Sequence, residues 1–200
     1  TGFNAVRFPK RIPHPYYLIL CRQYGLLPFI ELPISSIPES ILNEKEFNDR
    51  VRNYTNFFLK AFKDYSLGGI GLGSSYSGDS EIDIKFIENL AALVKKNTNA
   101  LTYASFLDGK LKEIKNLDFY GIEFINNLAN SSSLNEMLMN EQFKPGKLFV
   151  SEASYLVSRG NSDGYLTANS FEAQAKFFED LIDYSNKNSL LGYFLSCMFD

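Results

Sequence analysis

The stretch NAVRFPKRIPHPYYLILCRQYGLLPFIEL, residues 4–32, decides the fold. Its first five residues form a short apolar run that predicts a strand. The two prolines of the following RIPHP segment predict a turn, because proline cannot continue a helix and extends the residue before it. Residues 16–24 have the pattern of a helix that ends at Gly25, and residues 26–32 form a second apolar strand. A strand, a helix and another strand in this order form the unit from which parallel sheets are built.

The same alternation continues along the rest of the chain. Apolar runs predict five further strands, at 68–75, 100–106, 118–124, 147–153 and 190–196. Amphipathic patterns predict three further helices, at about 44–65, 81–97 and 170–185. Hydrophobicity within the strands is continuous rather than alternating, which indicates a sheet covered on both faces. We therefore predict an α/β fold with seven parallel strands.

Two architectures fit this pattern, a (β/α)8 TIM barrel and an open doubly wound sheet. Length favours neither strongly. Since such barrels usually need about 250 residues, a barrel of 200 residues would be compact or would lack its first strand–helix unit.

Composition excludes several classes of partner. The chain carries 20 Lys and Arg against 23 Asp and Glu, a net charge of −3, and neither sign forms a long run. This argues against nucleic acid or an acidic lipid surface as a partner. No apolar stretch reaches the roughly 18 residues that a membrane helix needs. Cys21 and Cys197 lie far apart in apolar surroundings, which predicts free buried thiols.

No motif in the chain predicts a metal ion or an organic cofactor. His14 is the only histidine, and its place between two prolines is typical of loop packing. The Gly-rich run 68–75 lacks the lysine of a phosphate-binding loop. Close approach of backbone in a crowded strand is the simpler interpretation, although a phosphate-binding barrel would also fit this one segment.

Charged and polar residues follow the apolar runs. In both architectures ligands meet the sheet at the carboxyl ends of the strands, and the residues at those ends are Arg7, Glu31, Ser74, Ser75, Asp108, Glu123, Glu152 and Asp200. Several carboxylates beside an arginine suit acid–base or glycosidic chemistry, although any one acid could instead pair with a basic residue or cap a helix. Glu152 is the most specific position, because burial would oppose its ionisation and the planar fork of Arg7 could hold it.

Three segments resemble the catalytic barrel of glycoside hydrolase family 2. Residues 2–34 are similar to its second and third strands, where a G-x-N-x-V-R strand precedes a loop with a PHP-like element and a helix of L-C-D-E-x-G-L type. The segments KPGKLFVSEASY and LLGYFLSCMFD resemble the seventh and eighth strands. The resemblance covers strands two to eight. It implies a carbohydrate ligand, a first strand and further domains upstream in a longer protein, and an exported or periplasmic setting.

The resemblance also assigns roles to four residues. Glu152 matches the catalytic nucleophile of the family, and Arg7 matches the arginine that supports it. Asp200 matches the acid that closes the eighth-strand motif, and His14 matches a histidine in the loop after the second strand. Arg7, Asp200 and His14 are therefore expected to bind substrate, together with Ser74, which lies where the fourth strand of the family ends.

One departure from the family affects the chemistry. Where the fourth strand of the family ends in an Asn-Glu pair whose glutamate is the general acid/base, this chain has Ser74 and Ser75. Serine does not supply a proton near neutral pH, and loss of general acid catalysis usually lowers the rate roughly 10²- to 10⁴-fold.

Two hypotheses follow from this departure. The first is a glycosidase-like barrel with impaired or no hydrolysis that binds a saccharide or serves as a scaffold. The alternative is an active retaining β-glycosidase in which Glu152 attacks and a relocated acid, Asp79 or Glu81, donates the proton, or which acts only on good leaving groups. Without that role, these two acids are expected to cap and charge the N-terminus of the helix at 81–97.

Overall fold

The computed structural model describes residues 2–107, 111–126, 145–158 and 160–196. Within them, seven strands form one parallel sheet in which each strand pairs with the next along the chain. The strands are β1 (Ala5–Phe8), β2 (Leu27–Glu31), β3 (Gly69–Gly71), β4 (Thr102–Phe106), β5 (Phe119–Ile125), β6 (Leu148–Ser154) and β7 (Tyr193–Leu195). All seven predicted strands are confirmed.

The helices connect the strands on the outside of the sheet. They are α1 (Pro15–Gln23), α2 (Glu39–Leu42), α3 (Lys45–Phe62), α4 (Glu81–Asn97) and α5 (Phe171–Lys187), with a 3-10 turn at Pro145–Lys147. Four of these helices were predicted, and α4 has the predicted bounds. The short helix α2 was not predicted. Among the described helices, none is long and apolar enough to cross a membrane.

Aromatic rings inside the sheet show that it curls on itself. The ring of Phe29 on β2 lies 6.5 Å from that of Phe149 on β6 and 5.2 Å from that of Phe194 on β7. Tyr103 on β4 packs edge-on against both Phe29 and Phe149. Strands from opposite sides of the sheet therefore share one interior layer, as the side chains of a TIM barrel do. The chain forms a nearly closed partial barrel, and the open doubly wound alternative is wrong.

A seam remains between the first and last strands. In the described part of the chain, β1 pairs with β2 and β7 pairs with β6, and no pairing joins β1 to β7. A mainly apolar cavity of about 900 Å³ lies along this seam and extends from Arg7 and Glu152 down to Leu27 and Gly68. The interior of the barrel is therefore reached from the seam as well as from the carboxyl ends of the strands.

The main core lies between the barrel and its helices. Buried side chains of α3, α4 and α5 pack on strand residues that point outward, among them Phe58, Phe62, Ile87, Val94 and Leu181 on the helices and Ile30, Ile70, Phe106, Ile122 and Val150 on the strands. Apolar side chains on both faces of the strands account for their continuous hydrophobicity. Cys21 of α1 is a buried free thiol, as predicted, whereas Cys197 lies outside the described residues.

Gly71 on β3 allows two interior side chains to approach each other. A Cβ added at Gly71 would lie 2.6 Å from Cζ of Tyr103 and 2.7 Å from Cγ of Glu31, and both side chains are fully buried. Close approach is therefore the role of this glycine, as its crowded strand predicted.

We expect Gly71→Ala to lower the free energy of unfolding by about 1–3 kcal/mol, the usual cost of overpacking a filled core. Gly146→Ala is the matched control, since a Cβ there would meet no atom within 4 Å. Urea unfolding of both variants measures the difference. Equal stability of the two would contradict the packing inferred at Gly71.

Candidate active site

Arg7 lies at the centre of a polar layer above the aromatic rings. Its Nη2 and Nε donate to one carboxylate oxygen of Glu31 at 2.6 and 3.2 Å. Nη1 donates to the carbonyl of Ser151 at 2.7 Å, and Nη2 also approaches Oγ of Ser105 at 3.4 Å. One guanidinium on β1 thus contacts β2, β4 and β6. The sequence places Arg7 at a strand end, and the curl of the sheet brings these partners to it.

The pair formed by Arg7 and Glu31 is almost completely shielded from solvent. Their side chains are 3% and 0% exposed. Burial alone lowers the pKa of Arg7, but the charge and hydrogen bonds of Glu31 and the nearby Tyr103 outweigh it, so the pKa is raised. The backbone N–H of Lys10 donates to the second oxygen of Glu31 at 3.2 Å. Glu31 is therefore held as the counter-ion of Arg7.

Glu152, on β6, is held more loosely. Its Oε2 lies 3.7 Å from Nη1 of Arg7 and 3.8 Å from Nζ of Lys10, beyond hydrogen-bond length. The side chain is 17% exposed, and Oε2 has no hydrogen-bond partner among the described residues. Glu152 is thus a partly exposed carboxylate whose Oε2 is buried beside two cations.

Glu123, on β5, is held by Ser75. The backbone N–H of Ser75 donates to Oε1 of Glu123 at 3.0 Å, and the Ser75 hydroxyl donates to Oε2 at 3.1 Å. Oγ of Ser75 in turn accepts from the hydroxyl of Ser35 at 3.3 Å. Glu123 is 2% exposed, whereas Ser75 is half-buried and has a positive φ of 60°. The serine is therefore the more exposed member of this hydrogen-bonded pair.

A register shift brings Glu123 and Glu152 side by side. Ile122 pairs with Val150, so regular pairing would place Ser151 opposite Glu123. The ladder shifts after Ile122, and Glu152 takes that place instead. Neighbouring strands are about 4.8 Å apart, so the two glutamates start from adjacent backbone positions at this end of the sheet.

The environment of Glu123 favours its neutral form. Burial raises the pKa of Glu123 above the ordinary range, and the negative charge of Glu152 adds to the effect. The positive charge of Lys10 and the hydrogen bonds from Ser75 offset part of this shift. A carboxyl in such surroundings keeps its proton to a higher pH than an ordinary glutamate does.

The remaining candidate site residues from the sequence analysis lie in different parts of the structure. His14 caps α1, with Nδ1 accepting from the N–H of Tyr16 at 3.2 Å. Ser74 is buried, and its Oγ has no partner in the described part of the structure. Asp79 accepts from the hydroxyl of Ser77, and Glu81 is an exposed acid in the first turn of α4. Asp200 and Asp108 lie outside the described residues.

Three contributors to the site received no role from the sequence. The sequence indicated Glu31 and Glu123 only as two of the charged and polar residues at strand ends, and it did not indicate Lys10. Their signal is position, since Glu31 ends β2, Glu123 lies two residues before the end of β5, and Lys10 follows β1 by two residues. Across residues 2–107, 111–126, 145–158 and 160–196, no group of three or more His, Cys, Asp or Glu could hold a metal ion.

We expect Arg7→Leu to lower the free energy of unfolding by about 3–5 kcal/mol, because it leaves the carboxylate of Glu31 buried without its counter-ion. Arg7→Leu combined with Glu31→Leu should recover part of that loss. Arg50→Leu, which breaks an exposed pair with Glu46 on α3, is the control and should change stability little. Urea unfolding measures all three. If Arg7→Leu alone were as stable as the parent protein, the buried pair of Arg7 and Glu31 would be contradicted.

We expect the parent protein to lose stability relative to Glu123→Gln as pH rises from about 4.3, the ordinary pKa of glutamate in an unfolded chain. The folded pKa of Glu123 is higher, so the folded state holds the proton longer and ionisation above that pH costs stability. The difference should level off above the folded pKa. Urea unfolding across this range measures it, with exposed Glu179→Gln as control. A flat difference for Glu123→Gln would contradict the assignment.

Comparison with known proteins matches the fold but no sequence family. No family model matches the chain, and no curated protein matches it in sequence. It is similar to a GH2 β-galacturonidase from Eisenbergiella tayi bound to galacturonate, with a TM-score of 0.83 and 13% identity over 96% of this chain and 37% of that one. It is also similar to a β-D-glucuronidase of Dictyoglomus thermophilum (TM-score 0.84, 11% identity, 97% and 38% covered) and to a putative β-galactosidase of Bacteroides fragilis (0.78, 15%, 98% and 31%).

The chain spans little more than a third of the length of the first of these solved structures. At such low identities the likeness concerns the fold. The barrel that the resemblance implied is thereby confirmed, and this chain has the partial (β/α) barrel fold found in glycosidases of family 2.

Proposed function

We propose that this barrel acts on a carbohydrate at the carboxyl ends of its strands, with Glu152 as the nucleophile of a retaining glycosidase. The observation that carries the proposal is the environment of Glu152. Its Oε2 lacks a hydrogen-bond partner among the described residues, and Arg7 and Lys10 stand 3.7 and 3.8 Å away. The side chain is still 17% exposed, so the carboxylate can meet an anomeric carbon as a nucleophile.

The neighbouring carboxyl supports the same chemistry. Retaining hydrolysis needs one ionised carboxylate and one carboxylic acid about 5–5.5 Å apart. Glu152 and Glu123 are register partners on adjacent strands, and their surroundings differ in the required sense. A buried carboxyl with a raised pKa next to a second, partly exposed carboxyl suits an acid–base role for the buried one.

We propose a β-linked uronic acid as the substrate class. Two of the solved structures with this fold are named as a galacturonidase and a glucuronidase. The site also has cations for a substrate carboxylate. Lys10 is partly exposed beside Glu152, and the exposed Arg11 lines the same cavity as Glu152. Arginine and lysine both bind carboxylates through charge-assisted hydrogen bonds.

A second candidate function is saccharide binding without turnover, or a scaffold role. The observation that favours it is Ser75, which occupies the position where the resemblance places the acid/base glutamate. In that case Arg7, Ser74, His14 and Asp200 would contribute to binding, and Glu152 would serve only as a counter-ion.

We further propose that the chain works within a longer polypeptide. Support comes from the seam between β1 and β7, where the edges are unpaired within the described residues and a cavity is open. A further strand–helix unit would close this seam. Turnover should therefore be higher in a longer polypeptide that contains these 200 residues than in the 200 residues alone, and equal turnover would count against the proposal.

We expect Glu152→Gln to abolish turnover of aryl β-glucuronides and β-galacturonides, because an amide does not attack the anomeric carbon. The probe is the 2,4-dinitrophenyl glycoside of each sugar, with the released phenol measured by absorbance. Exposed Glu179→Gln is the matched control and should keep the parent rate. Binding of the free uronic acid, measured by calorimetry, separates the two candidates. Binding without turnover in the parent protein would favour the second function.

A further inference from the structure

We propose that Glu123 supplies the proton for glycoside cleavage through the hydroxyl of Ser75, an inference that rests on the proposed glycosidase function. Direct geometry supports the connection. The hydroxyl of Ser75 lies 3.1 Å from Oε2 of Glu123, and the Ser75 N–H holds Oε1 at 3.0 Å. The serine that replaces the family's acid is thus itself bonded to a carboxyl.

Burial explains why the proton must pass through Ser75. Glu123 is 2% exposed, too little for contact with a sugar at the surface of the barrel. Ser75 is half-buried and follows β3, at the carboxyl ends of the strands. A hydroxyl can donate one hydrogen bond while it accepts others. Oγ of Ser75 can therefore accept from protonated Glu123 while its own hydrogen turns towards a leaving group.

The first step balances on these residues. The carboxylate of Glu152 forms a bond to the anomeric carbon as the bond from that carbon to the leaving oxygen breaks and leaves its electron pair on the oxygen. The leaving oxygen takes the proton of the Ser75 hydroxyl, and Ser75 takes the proton of Glu123. Ser75 ends the step neutral, and Glu123 ends it ionised.

The second step reverses the proton path. Water attacks the anomeric carbon, and the bond from that carbon to Glu152 breaks with its electron pair returning to Glu152. The proton that the water loses passes to Ser75, and the hydroxyl proton of Ser75 returns to Glu123. Both glutamates and the serine then have their starting protonation states, as microscopic reversibility requires.

Charges around Glu123 suit this exchange. Glu152 lies on the adjacent strand β6, Lys10 follows β1, and Arg7 and Glu31 form a closed pair on β1 and β2. While Glu152 is ionised, it opposes ionisation of Glu123. Once Glu152 is bonded to the sugar, it is neutral and that opposition ends. The pKa of Glu123, raised by burial and by Glu152, therefore falls at the moment when the proton has to leave.

The two acids suggested from the sequence have other partners. Asp79 accepts from the Ser77 hydroxyl at 2.8 Å, and Glu81 lies exposed in the first turn of α4, where an acid favours the helix dipole. Among the described residues, neither is hydrogen-bonded to Ser75, Glu123 or Glu152. Glu123 is thus the nearer proton source.

The test compares good and poor leaving groups, since only poor ones need the proton. Phenyl and 2,4-dinitrophenyl β-glucuronides and β-galacturonides are assayed with the parent protein, Glu123→Gln, Ser75→Ala and Ser75→Gly. We expect the variants at both positions to have a kcat/KM lower than the parent's by roughly 10²- to 10⁴-fold on the phenyl substrates, which is the usual contribution of general acid catalysis. On the dinitrophenyl substrates the decrease should be far smaller. Ser75→Gly guards against misfolding, because glycine tolerates the positive φ at this position.

A pH profile separates proton supply from a structural role. In the parent protein the basic limb of kcat/KM on phenyl substrates should report ionisation of Glu123, and Glu123→Gln should remove that limb. If Glu123 had only a structural role, Glu123→Gln would lower the rate but leave the basic limb at the same pH. Exposed Glu179→Gln is the control, and thermal unfolding checks that every variant is folded.

The remaining outcomes are distinct. Equal losses on both leaving groups, or an unmoved basic limb, would overturn the relay while Glu152→Gln still tests the glycosidase. A selective loss on phenyl substrates in Asp79→Asn or Glu81→Gln, with none in Glu123→Gln, would also overturn it. Absence of turnover in the parent protein on every probe would overturn both the relay and the proposed function.

Discussion

The buried guanidinium of Arg7 is the constraint on which the rest of the site depends. A charge with only 3% exposure is stable in a barrel only where carboxylate and carbonyl oxygens surround it. Glu31 on the neighbouring strand β2 and the carbonyl of Ser151 on β6 meet that need. The polar layer at the carboxyl ends of the strands is therefore tied together by one side chain. Glu152 lies at the open side of that layer, with its charge partly balanced.

Three carboxyl groups in one small region have three different environments. Glu31 is fully buried and bonded to Arg7 by charge-assisted hydrogen bonds. Glu152 is partly exposed beside two cations. Glu123 is buried against a serine and next to a negative charge, and its pKa is raised. These differences arise from burial and neighbours alone, because the three residues are chemically identical. They would allow one glutamate to serve as counter-ion, one as nucleophile and one as proton source.

Much of this arrangement was predictable from the sequence, and the failures have physical causes. Among the described residues, apolar runs bounded by turns predicted every strand, and helical spacing predicted four of the five helices. The short helix α2 was not predicted, because four residues are too few to show a helical period. Strand-end position identified Arg7, Glu31, Glu123 and Glu152 as a set. It did not separate their roles, since a role depends on which neighbours lie across the barrel.

Local periodicity and chain direction fix the order of strands and helices, the parallel sheet and the ends at which its polar residues gather, and all of these can be read from the sequence. The tertiary structure decided which of those residues meet. A shift of one residue after Ile122 places Glu152 beside Glu123, where a regular ladder would place Ser151. The curl of the sheet likewise brings Ser75 of the loop after β3 to Glu123 on β5. Register and curvature are set by packing of the whole barrel, and no single segment encodes them.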